Sequence, residues 1–160
     1  MAAEYPPFMF GYGAIGKIVA KIQDFPTPDI FSHEFLTHKL GFGRESDRAF
    51  IPMAKRIGLL SSNGAPTALY EKLRDPATTA EAIAEAMRHG YPMLYSRDAE
   101  AHELDRKVLA EMVADITGLV KGHASARAIV GTFFALKALT ADAPAIARQD
   151  DRRRMPERRK

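Results

Sequence analysis

Apolar residues recur along most of this chain at intervals of three and four, the period of helices buried on one face. Ile15, Ile18, Val19 and Ile22 predict a helix over 14–24, stopped by Pro26 and Pro28. Phe31, Phe35, Leu36 and Leu40 predict a second over 29–40, with Asp29 as its N-cap and GFGR (41–44) as the following turn. A third is expected from the cap Ser46 onward, with Phe50, Ile51, Ala54 and Ile57 inward and Pro52 kinking it. GLLSSNGAPT (58–67) then breaks the helical period. Its Asn63-Gly64 pair is a strong hairpin signal, so a small β-hairpin is expected where a winged helix carries its wing. Thr67 is placed to cap a short helix ending at Arg74. DPAT (75–78) is the candidate boundary between two halves, with Thr78 and Glu81 spaced as a capping box. Beyond it, helices are expected over 79–95, with Gly90 and Pro92 bending or ending it early, over 105–116, and over 125–139 behind the cap Ser125. The opening residues interleave Pro6, Pro7, Gly11 and Gly13 with Tyr5, Phe8, Phe10 and Tyr12, which reads as an extended arm docking aromatics onto the body.

The two halves superpose on each other. Residues 48–60 (RAFIPMAKRIGLL) lie on 127–139 (RAIVGTFFALKAL), pairing Arg48 with Arg127, Ile51 with Val130 and Ile57 with Leu136. With a two-residue gap, 31–42 lies on 108–119, pairing Glu34 with Glu111, Gly41 with Gly118 and Phe42 with Leu119. Helices share apolar periodicity, but a shared Gly and Arg at nearly constant spacing favour duplication. The expected fold is therefore mainly α, with tandem helix-turn-helix, winged-helix-like units and one small β-hairpin wing. Its parts are an arm (1–13), a first unit (14–77), a second helical unit (78–141) and a basic, disordered tail (142–160). The second unit has no counterpart to the wing. Its last helix is apolar nearly all round, which predicts burial in the core or against a partner. Ile129, Phe133 and Phe134 are accordingly the candidate homodimer interface.

Composition changes this picture little. Of 160 residues, 46% are hydrophobic and 27% charged, as in an ordinary soluble domain. No apolar run is long enough for a membrane span, and the N-terminus carries no basic region of a secretory signal. Cysteine is absent, which excludes disulfide and thiolate chemistry and fits a cytoplasmic location. The net charge of +3 is more informative. Residues 148–160 hold seven of the 23 Lys and Arg and three of the 20 Asp and Glu, so the body carries 16 against 17 and is close to neutral. The basicity belongs to the tail.

No catalytic constellation stands out. Gly11-Tyr12-Gly13-Ala14-Ile15-Gly16 spells G-x-G-x-x-G, yet two prolines interrupt the preceding segment and no βαβ pattern follows, so a tight arm-to-helix entry explains the glycines better than a dinucleotide does. His33, His38, His89, His102 and His123 show no metal-ligand spacing. His102 with Glu103 and Asp105 has the composition of an acid–base group but also that of a polar loop. The serines sit at helix starts and turns, without a nucleophile elbow. No enzyme, cofactor or metal is expected.

The remaining candidate is the first helix-turn-helix. Arg44, Arg48, Lys55 and Arg56 decorate the turn and its second helix, with Asn63 and Ser62 at the hairpin tip. Helix-turn-helix proteins present such an element to the major groove while flanking cations hold phosphates. Glu45 and Asp47 sit at the same helix start, where they either repel phosphate or serve as ordinary acids at a helix N-terminus. A solvated charged face is the bland alternative.

YPPFMFGYGAIGKI, the LGF turn, RAFIPMAKRIGLL, NGAPTALYEKLRDP and ARAIVGTF (126–133) together resemble a domain of unknown function found in small, largely actinobacterial, prokaryotic proteins. The resemblance spans roughly residues 1–140 and implies one self-contained module, with no catalytic residues to carry over. The leading expectation is a non-enzymatic module that binds double-stranded DNA, transcriptional or nucleoid-associated, through Arg44, Arg48, Lys55, Arg56 and Asn63, and dimerises through its second unit. The alternative is a protein–protein adaptor on the same scaffold, without nucleic-acid contact.

Overall fold

The computed structural model describes residues 5–149, with side chains to Thr140. It is mainly helical: α1 (Ile15–Asp24), α2 (Phe50–Arg56), α3 (Ala68–Arg74), α4 (Thr79–Gly90), α5 (Pro92–Tyr95), α6 (Arg106–Thr117) and α7 (Ala124–Gln149). The expected tail from residue 142 falls partly on α7, whose backbone continues to Gln149, and otherwise outside the described residues.

α1 follows its pattern, with Ile15, Ile18, Val19 and Ile22 buried on one face. The predicted helix over 29–40 shrinks to a π-helical turn, Phe35–Lys39. Its start is set by Ser32, whose Oγ accepts from the Phe35 N–H at 3.1 Å, and not by Asp29. The reason is tertiary. The Phe31 N–H donates to Gly64 O at 2.8 Å, a bond across the chain that helical backbone could not make.

The third predicted helix also starts late. Glu45–Asp47 is a 3-10 turn, and Ser46 lies inside it instead of capping. α2 begins at Phe50, which puts Pro52 in the first turn. There the missing N–H costs no helical bond, so the expected kink does not occur: Ile51 N–H reaches Arg48 O and Met53 N–H reaches Ala49 O.

The β-hairpin wing is corrected. Among the described residues there are no strands, only an isolated bridge between Leu60 and Pro66. Asn63-Gly64 does turn the chain, with Gly64 at φ +91° and Ser61 N–H bonded to Ala65 O at 2.8 Å. The ladder cannot extend because Pro66 has no N–H to donate. Leu59, Leu60 and Gly64 are all buried, so the loop folds inward onto Phe31 and does not project.

Thr67 caps α3 as predicted, accepting from Tyr70 N–H. At the bend over 75–78 the Thr78–Glu81 capping box does not form. Thr78 Oγ1 donates to Lys72 O, Thr79 Oγ1 bonds Leu73 O and Asp75 O, and Lys72 reaches across to Glu85 at 2.7 Å. α3 and α4 are thereby stapled together. Gly90 closes α4 where Ile57 passes so near that a Cβ would lie 2.6 Å from its Cγ2.

α7 is the spine, packed against α1, α4 and α6. Its start is held by His123, whose Nδ1 accepts from Ser125 N–H, so Ser125 is not the cap. The N-terminal arm docks as expected, with Tyr5 and Phe8 packed against the core and Tyr12 against Gly131, and its backbone is bonded as well. Met9 N–H donates to Thr132 Oγ1 at 3.1 Å, Thr132 Oγ1 returns a bond to Met9 O, and the buried Tyr91 hydroxyl donates to Pro7 O at 2.6 Å. Pro6, Pro7 and Met9 are buried, whereas Phe10 is 60% exposed.

Candidate nucleic-acid interface

The segment expected to be the front helix-turn-helix runs from the π-helical turn through Gly41 to α2. Gly41 takes φ +87°, the left-handed closure that lets Phe42 N–H turn back to Leu36 O at 2.9 Å. Arg44 then stands with its side chain 75% exposed, and Asp47 beneath it is 1% exposed. Asp47 accepts the Arg44 backbone N–H at 3.3 Å and faces the Arg44 guanidinium at 3.4 Å. The carboxylate that was a candidate phosphate repeller is therefore consumed as a reversed cap, while Glu45 remains exposed.

Arg48 is exposed, and no carboxylate of the described residues pairs with it. Arg48, Pro52 and Lys55 follow at helical spacing, so they share one outward stripe of the turn and α2. Lys55 and Arg56 are half-buried in the last turn, where cations complement the helix dipole. Arg56 also lies near Tyr91, whose hydroxyl burial pushes well above the ordinary tyrosine range. Asn63 is exposed, but its Oδ1 is engaged by Ser61 and Ala65 in shaping the turn. The structure thus places Arg48 and Lys55 at helical spacing on one stripe, keeps Arg44 paired with Asp47 at the start of the turn, leaves Arg56 half-buried, and puts Asn63 on a separate loop.

The three interface candidates in α7 fare differently. Ile129 and Phe133 are buried inside the chain's own core, with the Phe133 ring 5.0 Å from that of Tyr91. Neither is accessible to a second copy. Phe134 is half-buried under the Arg106 guanidinium, 4.5 Å from its ring centre.

Among the histidines, His102 comes nearest to a chemical cluster. Its Nδ1 lies 3.2 Å from the Tyr95 hydroxyl and its Nε2 3.4 Å from Glu100. Glu100, His102 and Glu103 offer ligand atoms within 4.8 Å of one another, but all three belong to one short surface turn. Asp105 is turned away to cap α6 through Val108 N–H. What sequence reasoning missed is a cleft lined by Tyr12, Arg106, Lys121 and Arg127. These come from four separate segments; Arg127 carried a signal as the counterpart of Arg48 and Tyr12 as a docking aromatic, whereas Arg106 and Lys121 carried none.

No helix of the described residues is long and apolar enough to cross a membrane. The fold defines a small, mainly helical module. By sequence it belongs to the family of unknown function DUF5343, which it matches over residues 7–145. Neither curated proteins nor solved structures provide a match.

Proposed function

We propose that this protein is a DNA-binding module that holds the phosphate backbone along the outward edge of its front helix-turn-helix. The observation that carries the reading is the exposure of Arg48, which no carboxylate of the described residues pairs: Asp47 is buried and spent on Arg44, whose side chain still stands 75% exposed beside it. Arg44, Arg48 and Lys55 act as phosphate contacts, which give affinity and register but no base readout. The inward-folded Asn63 loop adds no second contact, so binding has weak sequence preference. A protein partner is the second reading, favoured by Phe10, which stands exposed on the arm with its ring perpendicular to that of Phe8.

The test is fluorescence anisotropy on a labelled random duplex across a salt series. Binding is expected at low salt, with the slope of log K against log salt falling by about one for each cation removed in Arg44→Ala and Arg48→Ala. No binding to any duplex at low salt, or an unchanged slope in the double variant, ends the proposal.

A further inference from the structure

The rear unit carries a cleft of about 260 Å³ that no role described above uses. Its walls are Arg106 and Ala110 of α6, Lys121 of the α6–α7 turn, Arg127 and Val130 of α7, and Tyr12 of the arm. Two of these walls are fixed in advance. The end of the Tyr12 ring rests on Gly131, where a Cβ would lie 2.4 Å from Cζ, so only glycine lets the arm close here. Arg106 is held by its cation–π contact with Phe134 at 4.5 Å. Among the described residues Lys121 pairs with Glu111 at 3.6 Å, and Asp105 beside Arg106 is committed to capping α6. Three cationic residues thus line one concavity, and among the described residues the carboxylate paired with any of them is Glu111.

From this arrangement we infer that the cleft binds a small phosphate monoester whose phosphate lies among Arg106, Lys121 and Arg127 and whose body rests on Tyr12, Ala110 and Val130. A monoester carries close to two negative charges at neutral pH and three strong acceptor oxygens. That matches the two positive charges left once Glu111 is set against Lys121. Guanidinium groups are suited to the acceptors, because their planar fork binds phosphate bidentately. At this volume the ligand is a mononucleotide or a sugar phosphate, both smaller than the drug-sized occupants of typical pockets. The inference stands apart from the DNA reading, since it uses none of Arg44, Arg48 or Lys55.

Isothermal titration calorimetry of the full chain tests it, with adenosine monophosphate, ribose 5-phosphate, adenosine and inorganic phosphate as probes. Saturable one-site binding of either monoester, without binding of adenosine, is expected. Binding of both monoesters assigns recognition to the phosphate and sugar, and binding of the nucleotide alone assigns it to the base as well. Arg106→Ala and Arg127→Ala should each weaken binding tenfold or more, and Gly131→Ala should do so by expelling Tyr12 while the helical circular dichroism is kept. Arg44→Ala with Arg48→Ala should leave it unchanged. Absence of heat with both monoesters at millimolar concentration overturns the inference. So does an affinity that survives in both arginine variants, or a duplex DNA that protects the cleft while the monoesters do not bind.

Discussion

The glycine turn before α2 and the glycine turn before α7 share their chemistry and differ in what covers the helix that follows. Both close through a left-handed glycine, Gly41 at φ +87° and Gly118 at φ +79°, and both follow it with an exposed arginine, Arg48 and Arg127. In front, the stripe Arg48, Pro52 and Lys55 lies open or half-open to water. Its rear counterparts are Arg127, Gly131 and Phe134, and there Tyr12 sits on Gly131 and Arg106 on Phe134. The same local turn thus leaves an open cationic edge in one place and a roofed cleft in the other. The difference comes from where the arm lies, with Gly11 beside Ser46 at the foot of the front turn but Tyr12 laid over Gly131 of the rear helix, and from length: α2 ends at Arg56, whereas α7 runs on as the spine of the core.

The strongest way to break this comparison is at Phe133, whose front counterpart is the small Ala54. Phe133→Ala should cost about 3–5 kcal/mol, as truncation of a fully buried aromatic does, read by urea unfolding. A loss under about 1 kcal/mol would mean that α7 is not the spine and that the ring is free for an interface.

Asp47 sharpens the front half. Asp47→Ala should destabilise by about 1–2 kcal/mol, the range for a lost helix cap, because the Arg44 left behind is already in water. It should leave duplex affinity unchanged or raised. Unchanged stability with a large gain in affinity would restore Asp47 as a mere repeller and remove the argument for its sequestration.

The smallest effect tests the roof of the rear half. Tyr91→Phe removes one of the bonds that tie the arm to the core and should cost about 1 kcal/mol. The pH dependence has a definite sign. Burial raises the folded-state ionisation of Tyr91 above its ordinary value of 10.0, so its contribution is complete below about pH 10 and is lost as pH rises further. Wild-type stability should therefore fall above pH 10 more steeply than that of Tyr91→Phe. Parallel curves would place the hydroxyl outside the core.

Much of the helical framework was legible because its signals are local. The periods of α1, α6 and α7, the break at Gly90 and Pro92, and the caps at Thr67 and the glycine turns depend on neighbours within one or two turns. Some errors arose where a distant group intervened, others from local competition, as where His123 takes the capping role of Ser125. Phe31 spends its N–H on Gly64 and shortens the second helix, and the late start of α2 makes Pro52 harmless. Of the candidate site, the identity of the cations could be read, but not the capture of Asp47 or the confinement of Asn63.

By itself, then, the chain determined a helical body, two glycine turns each followed by an arginine, and a last helix too apolar to face water, because side-chain pattern and backbone preference act over a few residues. The tertiary structure alone decided which of those turns stays open, by laying Met9 along Thr132 and Tyr12 over Gly131. Those contacts join residues more than a hundred positions apart, and no local period records them. They depend on where the arm finds donors, acceptors and room once the core has formed.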